Sequence, residues 1–129
     1  MVRTRSMLAA LLLPWLISVT PASADELVDE YNAYIGRDDL YNSNGERLRE
    51  PWQIIRQDRA NYYKFGVRQR GDEPDSFFAS VDNRAKAERM IREGTMTRDA
   101  RRLLLQGDCM INVKVYHDRE GDYLEITVD

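Results

Sequence analysis

Apolar and polar positions alternate most cleanly at the C-terminal end of the chain. Ile111, Val113 and Val115 alternate with Asn112, Lys114 and Tyr116, and Leu124, Ile126 and Val128 alternate with Tyr123, Glu125 and Thr127. Period two over this length is the signature of half-buried strands. Asp118-Arg119-Glu120-Gly121 separates the two runs and predicts an antiparallel hairpin. One register places Val115 opposite Leu124, Val113 opposite Ile126 and Ile111 opposite Val128, so that all six apolar side chains share one face. The same register pairs Tyr116 with Tyr123 and Lys114 with Glu125 on the other face. A two-stranded hairpin is marginal alone, so it must pack on other elements.

Upstream the pattern turns helical. Leu27, Val28, Tyr31, Tyr34 and Ile35 recur at the spacing of one helix face, with Asp25, Glu26, Asp29 and Glu30 in the first turns and Gly36 as a stop. This spacing predicts a first helix. Residues 36–50 show no clean period, and Asn44-Gly45 marks a tight turn flanked by Leu40-Tyr41 and Arg47-Leu48. Pro51 suits the first position of a helix over about 51–62. Trp52, Ile55 and Tyr62 share a face that Arg59 interrupts. Tyr63, Phe65 and Val67 alternate with charged residues and glycine, which predicts a possible third strand near 63–68. An acidic loop follows at Gly71–Asp75. Asp82 is placed to cap a third helix that runs to Glu93 and stops at Gly94, with Ala87, Met90 and Ile91 as its stripe and Arg84–Glu88 as a surface pair. Thr97 caps a fourth helix carrying Ala100, Leu103 and Leu104, ended by Gly107. The expected class is α+β, with about four short helices and a C-terminal antiparallel β-hairpin.

The N-terminus reads as an address. Arg3 and Arg5 precede an apolar run from Met7 to Val19, then Pro21 and the small-residue pattern Ala22-Ser23-Ala24. This is the layout of a cleaved secretory signal over residues 1–24. The run is shorter than the roughly 20 residues that a spanning helix needs. The expected product is a single small domain over 25–129 with no transmembrane anchor, located in the periplasm of a bacterium or secreted.

Charge changes the picture in two ways. The 129-residue chain holds 19 basic and 22 acidic residues, a net charge of -3, and removal of Arg3 and Arg5 takes it to -5. An acidic domain is a poor non-specific binder of nucleic acid, so no nucleic-acid partner is expected. The charge is also segregated. Residues 84–102 carry seven basic and three acidic side chains, whereas 25–50 carry three basic and eight acidic. Complementarity within the molecule is the plain reading. The sharper one rests on Arg98, Arg101 and Arg102, a stripe placed to meet an anionic partner.

Candidate chemistry is sparse. One Cys and one His cannot supply a zinc site built mainly from those ligands, nor an internal disulfide. His117 falls opposite Asp122, but no serine lies nearby in sequence as a nucleophile. Cys109 lies eight residues away on the same strand, which is roughly 26 Å and too far for a dyad; it reads as a small buried apolar residue. Asp118, Glu120, Asp122, Asp38 and Asp39 are carboxylates without a calcium-loop pattern: placing Gly45 at its turn position puts Leu40 and Pro51 where ligands belong. No catalytic set, metal site or cofactor motif emerges. Tyr41 is the aromatic residue expected to be exposed, suited to stacking on a glycan or peptide.

Three runs, Tyr41–Leu48, Ile54–Tyr63 and Asp75–Ser80, resemble small uncharacterised exported proteins of proteobacteria. The resemblance implies export and carries no activity or site residues. The expected function is therefore a small exported, non-catalytic binding or interaction module whose partner is an envelope protein or glycan. The alternative is a small carboxylate-dependent hydrolase of envelope polysaccharide, which would hold two carboxylates about 5 to 9.5 Å apart across a cleft.

Overall fold

The computed structural model describes residues 17–18 and 25–129. Apart from Ile17 and Ser18, the expected signal segment lies outside the described residues. No helix among the described residues is long and apolar enough to cross a membrane.

The architecture is α+β. Strands β1 (Glu26–Ile35), β2 (Cys109–Asp118) and β3 (Gly121–Val128) form an antiparallel sheet in the order β1-β2-β3. Helices α1 (Pro51–Tyr63), α2 (Val81–Arg84), α3 (Ala87–Arg92) and α4 (Arg98–Gln106) lie between β1 and β2 in the chain. The core gathers Tyr31, Ala33 and Ile35 of β1 with Ile111, Val113 and Val115 of β2, then adds Leu124 and Ile126 of β3. Ile54, Ile55, Ala87, Met90 and Leu104 meet them from the helices. Alternate residues of each strand thus enter one core, and the other sheet face carries the polar positions.

The β2–β3 register is the one that the alternation predicts: Val115 with Leu124, Val113 with Ile126, Ile111 with Val128. On the outer face, Tyr116 and Tyr123 stack with centroids 5.3 Å apart. The first helix expected from the sequence is instead β1. Its buried side chains, Tyr31, Ala33 and Ile35, alternate, and a bulge between Leu27 and Asp29 shifts the phase. That shift leaves Leu27 and Val28 exposed and makes a period-two element imitate helical spacing. The open edge of β2 decided the outcome, because only a strand can satisfy its backbone groups.

Both sheet edges are covered. Along β1, Glu73 N–H donates to Asn32 O (2.9 Å), Asp72 Oδ1 accepts from Tyr34 N–H (2.9 Å), and Asp29 Oδ2 accepts from the N–H groups of Ser76 and Phe77. The acidic loop therefore shields an edge that would otherwise recruit another strand. Along β3, Thr95 N–H donates to Leu124 O (2.9 Å) and Ile126 N–H to Thr95 O (3.0 Å).

The possible third strand near 63–68 does not form. Helix α1 runs through Tyr63, and Lys64 N–H still bonds Ala60 O, which leaves Phe65 and Val67 exposed in a loop. The predicted helix from Asp82 to Glu93 is two pieces, α2 and α3, and its cap is Ser80, whose Oγ accepts from Asn83 N–H. Arg84 is consequently buried and makes no surface pair with Glu88. The predicted tight turn and three predicted helix ends are present. Leu48 N–H bonds Leu40 O across the Asn44-Gly45 turn, where Gly45 has φ +76°. Pro51 opens α1, Thr97 Oγ1 accepts from Ala100 N–H, and Gly107 ends α4 at φ +77°.

Candidate functional site

The residues singled out in the sequence do not converge. His117 Nδ1 and Asp122 Oδ1 are paired at 2.9 Å as the register requires, at the solvated hairpin tip, with the histidine side chain 55% exposed. The cavity beside that tip, about 160 Å³, is lined by Arg89, Glu93, Asp118, Glu120, Asp122 and Tyr123. No group of acids, histidine or cysteine fit to hold a metal ion occurs among the described residues. Cys109 is buried as a free thiol with Sγ 3.6 Å from Leu103 O, and burial pushes its pKa up. Tyr41 is half-buried rather than exposed, with the guanidinium groups of Arg37 and Arg47 at 5.7 and 5.8 Å from its ring centroid. Two arginines of the α4 stripe have partners in their own chain. Arg101 reaches Glu50 at 3.3 Å and Arg102 reaches Asp99 at 3.8 Å, all largely exposed. The first of these joins the basic segment to the acidic one, as complementarity within the molecule requires.

Two arginines that the sequence reading passed over carry the electrostatics instead. Arg59, which appeared as an interruption of the α1 face, is the largest fully buried side chain among the described residues. Its Nε donates to Asp58 Oδ2 (2.7 Å) and its Nη1 to Asp75 Oδ1 (3.1 Å) and Glu73 O (2.9 Å). Its guanidinium lies 4.2 Å from the Tyr31 ring centroid and 4.8 Å from that of Tyr62. The Tyr63 hydroxyl also donates to Asp75 Oδ1 at 2.9 Å. Two carboxylates thus share one guanidinium in a low-dielectric setting. Burial pushes the Asp58 carboxyl up to about 8 despite the adjacent Arg59. Asp58 is the carboxyl that keeps the proton: among the described residues its side chain accepts only from Arg59, whereas Asp75 accepts also from Tyr63 and from Phe78 N–H. The cluster ties α1 to the 73–78 loop inside the core and lines none of the cavities described here.

Arg84 is the second. It lies on the wall of an open groove of about 430 Å³ between α1 and α2. From α1 come Arg56, Gln57 and Ala60, with Lys64 and Phe65 just beyond its end; from α2 come Val81, Arg84 and then Ala85; Ser43 closes one side. None of these side chains is acidic, although the domain as a whole is. Arg84 is only 7% exposed. Its Nη1 donates to the carbonyls of Phe78 (2.8 Å) and Ala79 (3.2 Å). Those carbonyls are held because Phe78 is a core residue, packed edge-on against Tyr31. No carboxylate among the described residues lies within 4.0 Å of Arg84. A charge withdrawn from water without an ionic partner costs several kcal/mol, which two carbonyls offset only in part. Arg56 and Lys64 are exposed and have no ion pair among the described residues. Phe65 (52% exposed) and Val81 (67%) add an apolar rim.

Arg84 was missed because i, i+4 spacing to Glu88 assigned it to a wet helix face, and the break between α2 and α3 removes that face. The signal available in the sequence was Phe65, an apolar residue stranded beside Lys64 directly after a helix. Comparison with models of known protein families, with characterised proteins and with solved structures returns no match. The functional reading therefore rests on this geometry.

Proposed function

We propose that this chain is a small exported, non-catalytic binding module whose α1–α2 groove takes an anionic ligand. The observation that carries the reading is Arg84, a buried guanidinium without a carboxylate partner among the described residues, on the wall of a groove to which Arg56 and Lys64 add charge. A carboxylate or phosphate seated there recovers part of the desolvation cost of Arg84 and gains charge-assisted hydrogen bonds. Export follows from the layout of residues 1–24 and places the ligand in the cell envelope or outside the cell.

Hydrolysis by paired carboxylates fits less well. The carboxyls that burial raises, Asp58 and Asp39, are only 2% and 1% exposed, the first facing Arg59 and the second held by Gly36 N–H and Asn61 within the core, whereas a general acid must reach substrate.

Nuclear magnetic resonance titration of the purified, isotope-labelled chain with acetate, glutarate and phosphate tests the proposal. Amide shifts are expected at Ala60, Lys64, Phe65, Arg84 and Ala85, and tetramethylammonium chloride at equal ionic strength should leave them in place. Shifts confined to α4 and the hairpin tip would move the site elsewhere.

A further inference from the structure

The groove has a length and a charge pattern that narrow its occupant. Arg56 and Lys64 are eight residues apart on α1 and its C-terminal cap, which separates them by about 12 Å along the helix axis. Ala60 lies midway, and Ala85 also lines the groove. Cations therefore flank a trough bounded by small side chains, while Phe65 and Val81 supply an exposed apolar rim.

This pattern excludes simpler occupants. A single-headed amphiphile needs one cationic end and one closed apolar end, and this groove has cations at both. A phosphate polymer would use the cations and leave Phe65 and Val81 unmatched, and the acidic remainder of the domain would repel it. An extended peptide meets the whole pattern. Four residues of strand span about 13 Å, close to the Arg56–Lys64 separation. Side chains at i, i+2 and i+4 of a strand point the same way. Carboxylates at i and i+4 then reach Arg56 and Lys64 while the side chain at i+2 descends over Ala60 and Ala85. Gln57 Nε2 already donates to Asn61 Oδ1 (2.8 Å), which leaves its Oε1 and the Ser43 hydroxyl to meet the peptide backbone, and Arg84 on the opposite wall draws the negative charge inward.

We infer that the groove binds an extended acidic segment of a partner protein, with two carboxylates four residues apart and an apolar side chain between them. This rests on the anionic-ligand reading above and adds the class of ligand.

The test is a titration of the labelled chain with acetylated, amidated pentapeptides. The sequence E-A-L-A-E carries the proposed spacing, A-E-L-E-A permutes it at equal charge and composition, and Q-A-L-A-Q and E-A-S-A-E remove the charges and the apolar side chain in turn. The expected result is shifts around Ala60 and Ala85, with E-A-L-A-E binding about fivefold or more tighter than each of the others. That factor corresponds to roughly one charged or apolar contact. Arg56→Gln and Lys64→Gln are both exposed positions that should keep the wild-type circular dichroism spectrum. Each should weaken E-A-L-A-E about fivefold and erase the preference over A-E-L-E-A. Equal binding of the permuted peptide, or tighter binding of a galacturonate oligomer, overturns the peptide assignment. If acetate and glutarate still shift the groove in that case, the anionic-ligand reading stands without it. If no anion shifts the groove, both fall.

Discussion

Arg59 Nη1 stands 3.1 Å from Asp75 Oδ1 with both side chains fully enclosed. Asp58 competes for the same guanidinium, and its carboxyl is held protonated up to about 8 by burial. The native state therefore retains a proton that the unfolded chain releases near 4. Stability should fall as pH rises from about 4 to about 8 and level off above that, because the native state binds more protons across this window. Asp58→Asn keeps an acceptor for Arg59 Nε and removes the titration. Its denaturation midpoint should fall less steeply over this window, the remaining slope including that of Asp39, whose carboxyl burial also raises, and should at least equal wild type at pH 8. Urea denaturation at several pH values measures both. Arg59→Met should cost about 3 to 5 kcal/mol, since it leaves the buried Asp75 carboxylate without its cation.

How much of this was legible follows from which positions carry their own periodicity. The β2–β3 hairpin was readable because one register satisfies both faces, down to Tyr116 over Tyr123 and Lys114 beside Glu125. β1 was not, because its bulge near Val28 put Leu27, Tyr31 and Tyr34 at helix-like intervals, and only the edge of β2 distinguishes the two. Phe65 and Val67 alternate like a strand, yet α1 reaches Lys64 and uses the backbone there. Arg59 and Arg84 could not be placed at all. A buried arginine depends on acceptors brought in by the tertiary fold: the carboxylate of Asp75 for one, the carbonyls of Phe78 and Ala79 for the other. The groove left only the stranded Phe65 as a trace, since α2 ends after four residues and no pattern in the sequence marks that break.

The tip pair, His117 with Asp122, should contribute little. Its 2.9 Å contact is open to water on the histidine side, and exposed pairs are worth about 1 kcal/mol or less. Asp122→Asn should shift the urea midpoint by no more than that and leave the groove resonances unmoved. A larger loss would mean that the pair fixes the hairpin.

Cys109 should be slow to react. Its thiol is buried against α4 and its pKa is raised, so little thiolate is presented to solvent. Labelling by a disulfide reagent at pH 8 should run at least about tenfold faster in denaturant than in buffer. Non-reducing electrophoresis should show monomer. A rapid native reaction would require a local opening between α4 and β2.

Gly94 reads in the sequence as a helix stop, and the structure gives it a stricter role. A side-chain carbon at this position would lie 1.8 Å from Leu124 O and 2.9 Å from Leu124 N, which are backbone atoms of β3. The neighbouring Thr95 makes both hydrogen bonds that close the β3 edge, to Leu124 O and from Ile126 N–H. Relief of the clash has to separate residues 94–95 from β3, and that breaks both bonds and exposes the edge. Overpacking of this kind costs about 1 to 3 kcal/mol, and the lost edge bonds place Gly94→Ala at the upper end. The expected result is a lower melting temperature, with amide exchange at Thr95 and Ile126 accelerated beyond the global change. Gly45→Ala provides the contrast: its site is open and strained only by φ +76°, so its cost should be about 1 kcal/mol. If the two variants melted together, close approach to Leu124 would not be what fixes the chain at Gly94.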